Sequence, residues 1–286
     1  MKEVHMKQDW SQIENWAGIF GKWRVDGKSV SYSATDSQAA FSFGIAIGSG
    51  RSRNGSIAAT IDLGKKHNPN EARLIFGYDP LTRDYFSAGL GGYGGAYAID
   101  QFEQGFGWRN LVLAGVRDNL DENKTFNVRV DILGNQVTLW VDDVLVAKHI
   151  LSKPLPGDQL GLLAVGPGEV TFENISYIAS KPRAFIVMQF GEPFDSIYSE
   201  VIAPVCDAMG FDAFRADDIY TSGIILQDII SGIKESEIVI AEITPANPNV
   251  FYELGYSHAL SKTTILLAER NNKLPFFSET RSSHAP

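Results

Sequence analysis

The chain has 286 residues, 44% of them hydrophobic, and its 34 acidic against 25 basic residues give a formal net charge of −9. The apolar fraction excludes a wholly disordered chain, and the length leads us to expect two domains. A single Cys excludes an internal disulfide framework and a Cys-based zinc site, and the acidic balance argues against nucleic acid as a partner. No run approaches the ~18 apolar residues of a membrane span. The opening M-K-E-V-H-M-K-Q-D-W has no signal-type apolar core. No membrane partner is expected, and the expected location is cytoplasmic.

The averages hide a division. All five Trp (Trp10, Trp16, Trp23, Trp108, Trp140) lie in the first half, and only five of 27 Gly follow residue 180. From Lys181 onward there are eight basic and fourteen acidic residues. The composition changes at Ala179-Ser180-Lys181-Pro182, where Pro marks an element boundary. The expected domains are therefore 1–180 and 181–286.

In the first segment, short runs alternate apolar and polar residues between turn residues. Strands are expected at Phe41–Ile47, Ser56–Leu63, Ala72–Gly77, Tyr85–Leu90 and Leu111–Val116. A three-strand meander follows. Phe126, Val128, Val130 and Ile132 share one face, Gly134-Asn135 makes a hairpin turn, and Val137, Leu139 and Val141 alternate on the return. Asp142-Asp143 then turns the chain into Val144–Ala147. Leu160–Val165 and Val170–Ile178 complete the set. Roughly a dozen strands with little helical periodicity imply an all-β sandwich.

The runs I-F-G-K-W-R-V-D-G-K, L-I-F-G-Y-D, the meander and the closing Q-L-G-L-L-A-V…V-T-F-E-N-I resemble the concanavalin-like and laminin-G-like jelly rolls, over about residues 10–178. That scaffold hosts many activities. Trp108, Tyr78, Tyr85, Tyr93 and Tyr97 could stack on a sugar or could be packing residues. Gly91–Gly95 could be a binding loop or a plain connection. Asp142-Asp143 and Asp118…Asp121 read as solvated turn carboxylates rather than a calcium site, so no metal is expected.

The second segment alternates strand and helix. Ala184–Met188 is a continuous apolar run, as in a buried parallel strand. Pro193–Met209 is helical in period and ends at Gly210, a C′ glycine. Phe211–Phe214 is a second strand. Ser222 can cap a helix over Gly223–Lys234, with Ile225, Ile229 and Ile233 on one stripe. Ile238–Ala241 is a third strand. Asn247-Pro248 caps a helix running to Leu260, and Thr263–Leu267 is a fourth strand. This order implies a doubly wound sheet whose ligand site lies beyond the carboxyl ends of its first and third strands. Neither a Walker A loop nor a G-x-G-x-x-G fingerprint is present.

The stretches V-M-Q-F-G-E-P-F-D, F-R-A-D-D-I and N-P-N-V-F-Y-E-L-G-Y-S-H-A-L resemble bacterial TIR-like domains, and the same pattern is similar to the nucleoside 2-deoxyribosyltransferase group. The resemblance covers about residues 182–268 and implies a flavodoxin-like α/β fold. It also implies a catalytic carboxylate at Glu253 and, for many TIR domains of this kind, cleavage of NAD⁺ between ribose and nicotinamide, often in antiphage defence. NAD⁺ or a related nucleotide is then the expected partner, as substrate rather than cofactor.

Phe190, Gly191, Arg215, Asp217, Asn249, Tyr252 and Ser257 are the candidate substrate contacts. Phe190 could stack on a base or belong to the core. Arg215 could bind phosphate or be an exposed strand-end Arg. Asp217 could bond a ribose diol or cap a loop. Ser257 could orient the Glu253 carboxylate or contact a ribose hydroxyl. Asn247 reads as a helix cap, His258 as a packed helix residue and Cys206 as structural. The polar tail after Phe277 suggests a domain lacking its last strand and helix. That leads us to expect homo-oligomer contacts, with the sandwich answering to a carbohydrate or protein trigger.

Overall fold

A computed structural model describes residues 11–34, 42–64, 70–120, 124–219 and 225–270. The readings that fall on Phe41, Asp121, Ser222, Gly223 and the tail after residue 270 lie outside these residues. The chain divides into two compact units, Met1–Ser180 and Lys181–Pro286. Among the described residues no helix is long and apolar enough to cross a membrane.

The first unit is an antiparallel β-sandwich. One sheet has the spatial order Val144–Ile150, Gln136–Val141, Thr125–Leu133, Gly55–Asp62, Val170–Ala179, Ser29–Ser33 and Lys22–Asp26, with Ser11–Gln12 also beside Val170–Ala179. The other runs Gly107–Val116, Gly95–Glu103, Tyr85–Leu90, Glu71–Tyr78, Gln159–Val165, Phe43–Arg51 and Trp16–Phe20. The period-two pattern decides what is buried. Phe126, Val128, Val130 and Ile132 enter one core with Val137, Leu139, Leu74, Phe76 and Phe172. Leu133 faces Gln136 across the Gly134-Asn135 turn, and Asp142 and Asp143 make the next turn with φ of 49° and 61°.

Polar groups are also buried here. Arg73 Nη1 pairs with Asp100 Oδ2 at 2.8 Å, and Arg73 also holds Glu71. Burial raises the Asp100 carboxyl, while Arg73 and the hydrogen bond from Asn110 oppose the rise. Arg73 Nε and Nη2 donate to the Gly91 carbonyl at 3.3 and 3.2 Å. A Cβ on Gly92, whose φ is +129°, would stand 2.6 Å from the Arg73 guanidinium. The glycine loop thus lies closely over an ion pair.

The second unit contains a parallel four-stranded sheet. Arg183–Val187 lies between Asp212–Arg215 and Ile238–Glu242, and Thr263–Leu267 lies beyond Ile238–Glu242. Helices cover both faces. Phe185, Val187, Val239 and Ala241 pack with Ile233, Val250 and Leu254, which belong to helices Ile225–Glu235 and Pro248–Ala259. Ala184, Ile186 and Ile240 pack with Phe194, Ile202 and Cys206.

The expected single helix over Pro193–Met209 is interrupted. A turn at Phe194–Ile197 and a helix at Ala203–Ala208 flank a π-helical segment, Tyr198–Ile202. Pro204 explains the break: it has no N–H to donate, and its ring displaces the carbonyl four residues earlier. Gly210 closes the run with φ +81°. Buried Lys262 donates from Nζ to the carbonyls of Lys234, at 2.9 Å, and Ser236, and so caps the end of Ile225–Glu235.

Candidate active site

Asn247 begins the site. Its Oδ1 accepts from Asn249 N at 2.9 Å, and Pro248 fills the first helical position. That cap starts the helix Pro248–Ala259 just beyond the third strand, beside the loop that follows the first. Between them lies a cleft of about 430 Å³. Met188, Leu226, Ile229 and Val250 supply its apolar lining; Gln189, Phe190, Asn247, Asn249, Tyr252 and Glu253 supply the rest.

Glu253 is 9% exposed. Among the described residues no hydrogen bond or ion pair reaches its carboxylate. Burial alone pushes its pKa up to about 7. The group therefore changes charge near neutral pH. A buried carboxylate without a partner is costly, and such groups cluster at functional sites.

Several expected contacts stand elsewhere. Arg215 is buried, so it is not an exposed strand-end residue, and all three of its guanidinium nitrogens donate to carboxylates. Nη1 meets Asp195 Oδ1 at 2.8 Å and Nε meets Asp217 Oδ1 at 2.8 Å, with a second bond to Asp217 Oδ2. These carboxylates raise the Arg215 pKa further, and the Arg215 hydrogen bonds hold Asp217 below the usual carboxylate range. Neither residue lines the cleft. Arg215 instead stacks near two rings, with Cζ 5.1 Å from the Phe190 centroid and 4.9 Å from that of Tyr198.

Ser257 is fully buried and donates to the Glu253 backbone carbonyl at 2.8 Å, so it touches neither the carboxylate nor the cleft. Gly191, at φ +90°, donates its N–H to Asp195 Oδ1 at 3.2 Å and shapes the loop from outside the lining. His258 is exposed rather than packed. Phe190 and Tyr252 line the cleft at 46% and 51% exposure, and Asn249 lines it too. Leu226 was not anticipated as a lining residue, although its spacing to Ile229 and Ile233 follows the helical stripe.

On the sandwich, Tyr78 and Tyr85 are buried and Tyr97 is half-buried. Trp108 donates to the Tyr85 hydroxyl at 3.1 Å, and Phe102 lies between their rings at 5.0 and 5.1 Å. Only Tyr93 of the five candidates projects, at 61% exposure. A larger hollow of about 720 Å³ is lined by residues that include Trp16, Phe20, Tyr78 and Arg83, and among the described residues no carboxylate lines it. Among the described residues no group of three or more His, Cys, Asp or Glu could hold a metal.

No family model matches the sequence, and no curated protein matches it. Several solved structures resemble it distantly. A carbohydrate-binding module from Bacillus subtilis is 19% identical at a TM-score of 0.48, covering 58% of this chain and 97% of that one. A Bacillus licheniformis β-glucanase is 13% identical at 0.41, covering 60% and 98%. A Bacillus subtilis protein of unknown function with a galectin-like fold is 11% identical at 0.43, covering 59% and 92%. The likeness concerns a jelly-roll β-sandwich, and at this level it carries no argument about ligand or activity.

Proposed function

We propose that the second unit is a TIR-like N-glycosidase that hydrolyses the nicotinamide–ribose bond of NAD⁺, with Glu253 as its catalytic carboxylate. The observation that carries this reading is the buried, partnerless Glu253 carboxylate on the lining of the cleft. The sheet order second–first–third–fourth supports it, being the flavodoxin-like order through four strands. The N-P-N-V-F-Y-E-L-G-Y stretch, on the helix that carries Glu253, also supports it.

The chemistry suits one carboxylate. The C1′–N bond breaks, and its electron pair returns to the pyridinium nitrogen. Nicotinamide therefore leaves neutral and needs no acid. Positive charge builds at C1′, where ionised Glu253 stabilises it or adds covalently. Water then completes the bond at C1′ and gives up one proton, leaving ADP-ribose. Phe190 and Tyr252 offer faces for the ring, and Asn249 offers an amide for a ribose hydroxyl. In this reading the sandwich senses a carbohydrate or protein trigger, or drives homo-oligomer assembly, in antiphage defence. The test is nicotinamide release from NAD⁺ at high protein concentration, wild type beside Glu253→Ala. Release unaltered by the substitution removes Glu253 from the reaction.

One observation favours a second reading. A carboxyl with a pKa of about 7 remains partly protonated at neutral pH. A protonated Glu253 could act as general acid for a neutral nucleobase, as nucleoside hydrolysis or base exchange requires. Deoxynucleosides offered with a free acceptor base separate the two, because exchange belongs to the second alone.

A further inference from the structure

Resting on the NAD⁺ reading of this cleft, we propose that it recognises its substrate by the positive charge of an N-alkylated pyridinium ring and takes no hold of the phosphates. Among the described residues Glu253 is the only charged side chain on the lining, and no Lys, Arg or His joins it there. The nearby cation, Arg215, is committed to Asp195 and Asp217. The elements packed around Glu253 carry other charges, but Arg183, Asp228, Lys234, Glu235, Glu242 and His258 do not line the cleft.

A flat cation meets what such a lining offers. Phe190 and Tyr252 present aromatic rings, which attract cations through their negative faces. The unpaired carboxylate gains the counter-charge that the protein withholds. A neutral base gains only the ring contacts. Among the described residues a pyrophosphate finds no counter-charge on the lining, so it stays in water.

Two probes test the charge preference without catalysis. Binding of 1-methylnicotinamide, a cation, and of nicotinamide, its neutral parent, is measured by calorimetry on the full chain at pH 6 and pH 8. The expected result is at least tenfold tighter binding of the cation at pH 8 and a smaller preference at pH 6. Glu253→Gln, with its fold checked by circular dichroism, should erase the preference. Equal affinities, a preference that survives in Glu253→Gln, or no cation binding at millimolar concentration overturns the proposal. For the phosphates, nicotinamide riboside should be cleaved with kcat/KM within tenfold of NAD⁺; a loss beyond a hundredfold overturns that part. The two readings fail separately. Charge preference without nicotinamide release from any substrate retires the NAD⁺ reaction and keeps the cation site. Glu253-dependent release without charge preference does the reverse.

Discussion

Arg215 stands with its Cζ 5.1 Å from the Phe190 ring centroid, while two carboxylates hold its nitrogens. It therefore braces a wall of the cleft without lining the cleft itself. Arg215→Met keeps the bulk but strands Asp195 and Asp217. Both are partly exposed, so the expected loss of stability is moderate, about 1–3 kcal/mol. KM for NAD⁺ should rise more than kcat falls, because Phe190 loses its support. Arg215→Lys restores a charge but not the two-nitrogen fork, and should recover only part of the loss. Unfolding curves and steady-state kinetics check both.

Glu253 sets function against stability. Its folded pKa, about 7, lies above the ordinary carboxyl value. Near pH 4 both folded and unfolded forms are largely protonated, and burial costs little charge. As pH rises toward 7 the unfolded form ionises first, so stability falls; above 7 the full penalty applies. Glu253→Gln should therefore stabilise the second unit by about 2–3 kcal/mol at pH 8 and by much less near pH 4. Urea denaturation at the two pH values measures the difference. A gain independent of pH would contradict the ionic origin.

The same titration orders the kinetics. Nicotinamide release needs the ionised carboxylate, so kcat/KM for NAD⁺ should rise about tenfold per pH unit below 7 and level off above it. A rate that falls through the same range would assign Glu253 the acid role and favour neutral nucleosides.

Lys262 provides a contrast of sign. Burial lowers its pKa to about 7. The unfolded chain then binds the extra proton between about pH 7 and 10, so this residue makes stability rise with pH over that window. Lys262→Met abolishes that slope. It also leaves the carbonyls of Lys234 and Ser236 without their Nζ donor, at a cost of about 1–3 kcal/mol. Denaturant midpoints of the two proteins at pH 7 and pH 9.5 test the slope and the cost together.

In the sandwich, Arg73→Met should be the more damaging change. It leaves Asp100, fully buried, without its cation, and the expected loss is about 3–5 kcal/mol. Asp100→Asn in the Arg73→Met background should recover part of it by removing the charge. Thermal denaturation of both variants checks this; no recovery would place the damage in packing rather than charge.

Much of the architecture was legible because period decides burial. Tyr85–Leu90 and Thr263–Leu267 were read to the residue, and the 126–141 hairpin kept its turn and its inward face. The strands missed include Gly95–Glu103, which opens on small residues buried nearly throughout, and Lys22–Asp26 and Ser29–Ser33, which alternate cleanly but run for only five residues each. At the site, helix grammar places Asn247 at the cap and Asn249 in the first turn, whereas Glu253 is singled out by the resemblance carried by N-P-N-V-F-Y-E-L-G-Y. The commitments of Arg215, Asp217 and Ser257 could not be read in either way, because Arg215 meets Asp195 only when the second strand folds beside the first helical run. Sequence spacing ranks which groups are near. It does not say which polar group reaches a partner first.

The uneven distribution of tryptophan has an optical consequence. Every indole belongs to the first unit and, among the described residues, every α-helix to the second. Tryptophan emission is therefore a reporter of the sandwich, and ellipticity at the helical minimum a reporter of the parallel-sheet unit. Two melting curves recorded on one intact sample can tell which unit a substitution has weakened, with no label attached and no peptide bond cut.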